Sequence, residues 1–266
     1  MNQWKCAAAG LLCAVLCGCA LLSRPETAGS PIDAALRTVA AVQAGKDTVR
    51  LRAAELDEEE VFRAVEAVWP YACTMQMTVY TGGMMEIQLD AFTEAQQEQA
   101  RVLAEGIAQE ATRGLTDDAD KLRALHDRLV RGCAYDVDAA ETGSEELTAG
   151  AAAPFTAYGA LVDGKAVCAG YARAFVMLCQ AAGLDAIYVA DEGMNHGWNA
   201  VRLEGEPYFI DCTFDDPVPD RGEYVSHEYF LRTADELAET HTWDRAFYER
   251  VMNAKWGVSA GNQNNS

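Results

Sequence analysis

Three side chains of chemically capable types stand close together in the second half of the chain: Cys168 in "GKAVCAGYARAF", His196 in "NHGWNAV" and Asp211 in "YFIDCTFDDP". A thiolate can attack a carbonyl carbon, an imidazole can take and return the proton, and a carboxylate can hold the imidazole in one tautomer. Asp163-Gly164 predicts a tight turn. From Cys168 onward, Tyr171, Ala174, Phe175, Leu178, Cys179 and Ala182 recur at helical spacing until Gly183, so Cys168 opens a helix. Unpaired N–H groups and the dipole at that end favour a thiolate. Cys179, three turns further along the stripe, reads as a small core residue.

The other two side chains need a hairpin. "AIYVA", "HGWNAVRL" and "PYFIDCT" alternate as strands, the last two joined at Glu204-Gly205. A two-residue turn there pairs Leu203 with Glu206 and sets Asp211 opposite Trp198, with His196 as its diagonal neighbour at roughly 7–8 Å. His196, Trp198 and Asp211 then share one face, and Cys212 points to the other. Upstream, helical spacing predicts helices from Ile32 to about Ala44 and from Asp57 to Val68. "CTMQMTVYTGGMMEIQLDA" reads as a hairpin, and helices follow in "TEAQQEQARVLAEGIAQEAT" and "DDADKLRALHDRLVRGC". His126 lies beside the apolar face of the last of these and reads as a structural histidine. The stretch "DAAETGSEELTAGAAAP" predicts a surface loop.

Composition bounds the partners. With 21 basic against 41 acidic residues and a net charge of -20 among 266 residues, the chain repels phosphate backbones, and nucleic acid is excluded as an expected partner. "MNQWK" followed by the apolar run "CAAAGLLCAVL" reads as a secretory signal. The run ends in "LCGC", which resembles a bacterial lipobox and makes Cys19 the expected lipidated residue. Lipidation there would place the mature protein outside the cytoplasm, anchored to the bacterial cell membrane through "ALLSRPETAGSP". Besides Cys19, five cysteines follow, Cys73, Cys133, Cys168, Cys179 and Cys212. An odd number leaves at least one unpaired, and no zinc-type spacing of cysteine and histidine occurs, so no metal and no cofactor are expected.

The three motifs carrying Cys168, His196 and Asp211 together resemble the motif blocks of the transglutaminase-like cysteine enzymes, a branch of the papain-like fold. "LRALHDRLVRGCAYD" and "HEYFLRTADEL" extend the likeness, which covers about Thr116 to Trp243. The resemblance implies an α+β fold in which a helix carrying the nucleophile packs on an antiparallel sheet, preceded by an N-terminal helical region. It implies Cys168 as nucleophile, His196 as general base and acid, Asp211 as orienter, and a protein or peptide as substrate. The backbone N–H of Cys168 is one expected oxyanion donor, and the second cannot be matched to a position. Trp198 and Tyr135 are expected to line or support the cleft as substrate-binding residues. The expected organisation is a signal peptide over 1–18, a tether over 19–31, a helical and hairpin region over 32–115, the transglutaminase-like domain over 116–250, and a tail over 251–266. Chemistry of this kind fits a peptidase, an amidase or a protein-glutamine acyltransferase. The alternative is a surface-anchored module that binds peptide or wall material without turning it over.

Overall fold

Local signals start and stop the helices. Ser30 accepts a hydrogen bond from the Asp33 N–H and Pro31 occupies the first helical position, while Asp57 and Asp117 cap two later helices in the same way. The computed structural model describes residues 26–53, 57–142, 152–219 and 221–257. In chain order the elements are β1 (Glu26–Thr27), α1 (Pro31–Gln43), β2 (Val49–Arg52), α2 (Glu58–Val68), β3 (Cys73–Tyr80), β4 (Met84–Ala91), α3 (Glu94–Ala111), α4 (Asp118–Gly132), β5 (Ala134–Tyr135) and α5 (Val137–Thr142). After a 3-10 turn at Ala153–Phe155 and a π-helical turn at Gly159–Asp163 come β6 (Lys165–Ala166), α6 (Cys168–Ala181), β7 (Ala186–Asp191), β8 (His196–Leu203), β9 (Glu206–Ile210), α7 (Ala234–Leu237) and α8 (Arg245–Trp256).

The fold is α+β. The antiparallel sheet β7-β8-β9 stands between two apolar cores. Tyr188, Val201 and Ile210 lie in one core with Tyr171, Phe175 and Leu178 of α6 and with residues of α3 and α4. Ile187, Val189, Trp198, Ala200 and Phe209 lie in the other, with α1, α2 and α8. Burying both faces accounts for the near-continuous apolar character of β7 and β8, since neither face is left to water. Asn199 ties helix to sheet: its amide donates to the Ala172 carbonyl of α6 at 2.9 Å and to the Ile187 carbonyl of β7 at 3.2 Å.

The hairpin register follows the expectation from Glu204-Gly205. Leu203 pairs with Glu206 and Asn199 with Ile210, and both turn residues have positive φ, 53° and 91°, as a twist-matched two-residue turn requires. The N-terminal region contains more sheet than was expected. β2 pairs with β4 and β1 with β2, which extends the β3–β4 hairpin to four strands. The segment "DAAETGSEELTAGAAAP" begins inside a helix, α5, rather than in loop, and its middle lies outside the described residues. The leader and Cys19 also lie outside them. Among the described residues no helix is long and apolar enough to cross a membrane.

Candidate active site

Cys168 is the first residue of α6, and the N-cap position before it is Val167, whose side chain offers no acceptor to the first turn. Capped helices use Ser, Thr, Asp or Asn at this place. The Gly170 N–H turns back onto the Val167 carbonyl at 2.9 Å, and the N–H groups of Cys168 and Ala169 at the very start of the helix are the ones that can meet an anion. The close approach that fixes this end is made at Gly170. A Cβ there would meet the Pro154 carbonyl oxygen at 2.4 Å and the Ala166 Cβ at 2.8 Å, so only glycine lets the first turn seat against the Ala153–Phe155 turn. Val167 N–H in turn donates to the Pro154 carbonyl at 3.0 Å.

His196 begins β8 and is nearly buried. Its Nε2 lies 2.6 Å from Asp211 Oδ2. With Nε2 engaged, Nδ1 is the ring nitrogen left for the thiol. Burial works against the imidazolium, but the hydrogen bond to Asp211 and the interaction with Cys168 outweigh it and hold the His196 pKa up at about 9. Asp211 is buried just beyond β9. Burial would raise its pKa, yet the bonds from two imidazoles and from backbone N–H groups keep it below the usual carboxylate value. The Thr213 and Phe214 N–H groups donate to Oδ1 at 2.9 and 3.1 Å.

The second imidazole belongs to His241, which sequence reasoning missed. Its Nε2 lies 3.0 Å from the same Asp211 Oδ2. It stands in "THTWD", 30 residues after Asp211, and nothing in strand or helix periodicity links the two. A signal existed nonetheless: the chain has only four histidines, and this one stands between two threonines and two residues before Trp243.

The remaining expected residues separate into contact and support. Tyr135, in β5 paired with β6 beside the start of α6, is half-buried. Burial and then the nearby Cys168 push its phenol pKa up. Trp198 is 1% exposed, stacked under His196 at 5.6 Å between ring centroids. A ring with no exposed face supports the imidazole from below, which is the supporting place of the two expected of it, and does not itself meet substrate as a binding residue would. Phe214 packs on the other side of His196 at 4.6 Å and is 44% exposed.

The other described cysteines are buried and unpaired. Desolvation pushes the thiols of Cys73 and Cys133 up to about 12 and raises those of Cys179 and Cys212 as well. Cys168 is the one thiol among them that is not buried.

Two groups among the described residues bring metal-capable atoms within 4.8 Å, His126–Asp127–His227 and His196–Asp211–His241. Hydrogen bonds account for both. His126 is buried, with Nδ1 3.1 Å from Asp127 and Nε2 3.1 Å from Asp215, which fits its reading as a structural histidine. Arg123 approaches His227 Nδ1 at 3.1 Å; since a guanidinium can only donate, His227 carries its proton on Nε2, which faces Asp127 at 2.7 Å. Arg131 also flanks Asp127. A divalent cation there would have to displace protons and meet two fixed positive charges.

Residues 105–216 match the sequence model of the transglutaminase-like superfamily, so the similarity to that family lies in this part of the chain. Cys168, His196 and Asp211 fall inside the matched span, and His241 outside it. No curated protein matches the chain significantly. Among solved structures, the chain is similar to a TGase, at 16% identity over 71% of this chain and 59% of that one, with a TM-score of 0.36. It is similar to a candidate cysteine protease from Cytophaga hutchinsonii, at 12% identity over 64% of this chain and 69% of that one, with a TM-score of 0.33. It is also similar to the periplasmic domain of TgpA from Pseudomonas aeruginosa bound to ethylmercury, at 15% identity over 59% of this chain and 72% of that one, with a TM-score of 0.32. The chain thus spans about three fifths of the length of the TGase structure.

Proposed function

We propose that the protein is a thiol enzyme acting on amide bonds of proteins or peptides, outside the cytoplasm and anchored through a lipid on Cys19. The observation that carries the reading is the placement of one imidazole between two partners: His196 bonds Asp211 at 2.6 Å and interacts with Cys168, the half-buried thiol at the start of α6. The lipobox-like "LCGC" after an apolar leader supports the location.

In the proposed reaction the thiol proton passes to His196 and the Cys168 sulfur attacks the amide carbonyl carbon. The oxyanion is met by the N–H of Cys168 at the uncapped helix start. His196 then returns the proton to the departing nitrogen, the C–N bond breaks, and an amine or ammonia leaves behind a thioester on Cys168. Water or a second amine adds to the thioester with His196 as base, which releases the thiol. Tyr135 lines the thiol side of the cleft and Phe214 its histidine side.

The full-length protein, kept in detergent, is incubated with glutamine- and lysine-containing peptides, with and without a small primary amine, and product masses are read. New peptide fragments indicate hydrolysis of the chain, conversion of glutamine to glutamate indicates amidase action, and incorporation of the amine indicates acyl transfer. No mass change with any peptide, from a protein that binds the same peptides, would replace the enzyme by a binding module.

A further inference from the structure

We propose that His241 is a positioning residue of the thiol site, whose Nε2–H fixes the Asp211 carboxylate so that the oxygen it holds is the one that meets His196. This rests on the reading of Cys168, His196 and Asp211 as one site, and it adds a residue that lies beyond the family-matched span 105–216.

The geometry is closed. An ionised carboxylate has about four lone-pair positions, and four donors occupy them: the Thr213 and Phe214 N–H groups on Oδ1, and the Nε2 atoms of His196 and His241 on Oδ2. Two imidazoles therefore divide one oxygen. An ionised acid accepts only, so His241 Nε2 carries a proton. The Thr240 hydroxyl lies 2.8 Å from His241 Nδ1 and 3.3 Å from the Leu237 carbonyl. In the arrangement we propose, the hydroxyl gives its single proton to Nδ1, the nearer of the two, and His241 is the neutral Nε2–H tautomer.

The segment bearing His241 is itself latched to the loop that precedes His196. The His241 N–H closes on the Leu237 carbonyl at 2.9 Å. Thr242 donates through its hydroxyl to Asp191 at 3.1 Å, and Asp191 pairs with His196 across β7 and β8. The rings of Trp198 and Tyr229 pack on His241 at 4.9 and 5.5 Å. His241 thus joins the acid, the loop before the base, and the ring under the base. The other titratable groups close enough to feel the shared carboxylate include Tyr135 on β5 and the adjacent Cys212, and neither bonds Oδ2.

A neutral donor on Oδ2 withdraws negative charge that would otherwise be concentrated on the His196 proton. Its removal should make the imidazolium harder to deprotonate, by about 0.7 pH unit if one ordinary hydrogen bond is lost. Iodoacetate reads this without knowledge of the substrate, because the anionic reagent is attracted by the imidazolium beside the thiolate and its rate falls when that proton leaves. In full-length protein the alkaline fall in Cys168 alkylation should move to higher pH in His241→Phe, which fills the space without donating. It should return toward the parent position in His241→Gln, whose amide can donate. An unmoved limb in His241→Phe would reduce His241 to packing and overturn the proposal. Nitrogen NMR of histidine-labelled parent protein covers the case in which His241→Phe does not fold. The proposal requires the neutral Nε2–H tautomer of His241 at neutral pH, and an Nδ1–H tautomer or an imidazolium would overturn it. A parent Cys168 that alkylates no faster than an ordinary thiol would instead refute the enzyme reading, leaving the tautomer measurement to decide the role of His241.

Discussion

Asp211 accepts from four donors while buried, and this decides what its replacement does. In Asp211→Asn the amide NH2 must face either two backbone N–H groups or two imidazole N–H groups. Either orientation leaves a buried clash of donors, costing on the order of 1–3 kcal/mol of stability. His196 also loses the acceptor that fixes its tautomer, so turnover should fall by roughly 10³–10⁴-fold. A loss of activity no larger than the fraction unfolded would show that the pair serves the fold alone. The same pair sets a pH window. His196 is raised from 6.5 to about 9, so its contribution to stability is complete below 6.5 and lost as pH rises through 9; Asp211 is lowered from 3.8, so its contribution is complete above 3.8 and lost as pH falls through the depressed value. Urea midpoints of the parent should therefore be highest between 3.8 and 6.5, and the alkaline decline should flatten in Asp211→Asn.

At the scale of elements, α6 is placed by its first turn, and Gly170 is where that placement can be disturbed. Alanine would gain up to about 1 kcal/mol of helix propensity over glycine. Its Cβ would stand 2.4 Å from the Pro154 carbonyl oxygen, and a backbone clash of that kind costs roughly 1–3 kcal/mol or displaces the helix start. The clash wins, so Gly170→Ala should lower the melting temperature and slow Cys168 alkylation together. A variant as stable and as reactive as the parent would mean that the Ala153–Phe155 turn yields freely. The elements nearest the site were legible because their signals are strong: the stripe from Tyr171 to Leu178 gave α6, and Glu204-Gly205 fixed the β8–β9 register. β2 was missed although Val49 and Leu51 are buried and Arg50 and Arg52 exposed. Four residues of alternation are too few to distinguish a strand from a charged linker until a partner strand is known.

For the whole molecule, the legible part was the core in which local pattern and tertiary role agree, with Cys168 opening a helix and His196 and Asp211 meeting across a hairpin. What stayed hidden joins segments far apart in sequence. His241 reaches Asp211 from 30 residues away, and Trp198 is covered by the rings of His241 and Trp243 from the same distant segment; neither relation has a period. Length and charge argued against nucleic acid as a partner but could not show that the sheet lies between two cores. The central claim is that Cys168 carries the acyl group, and turnover by Cys168→Ala tests it most directly. Cys168→Ala should stay folded, at a cost of about 1–2 kcal/mol, and lose measurable turnover, while Cys73→Ala, Cys133→Ala, Cys179→Ala and Cys212→Ala keep a substantial share of it. A folded Cys168→Ala protein that processes the same peptides at near the parent rate would contradict the account.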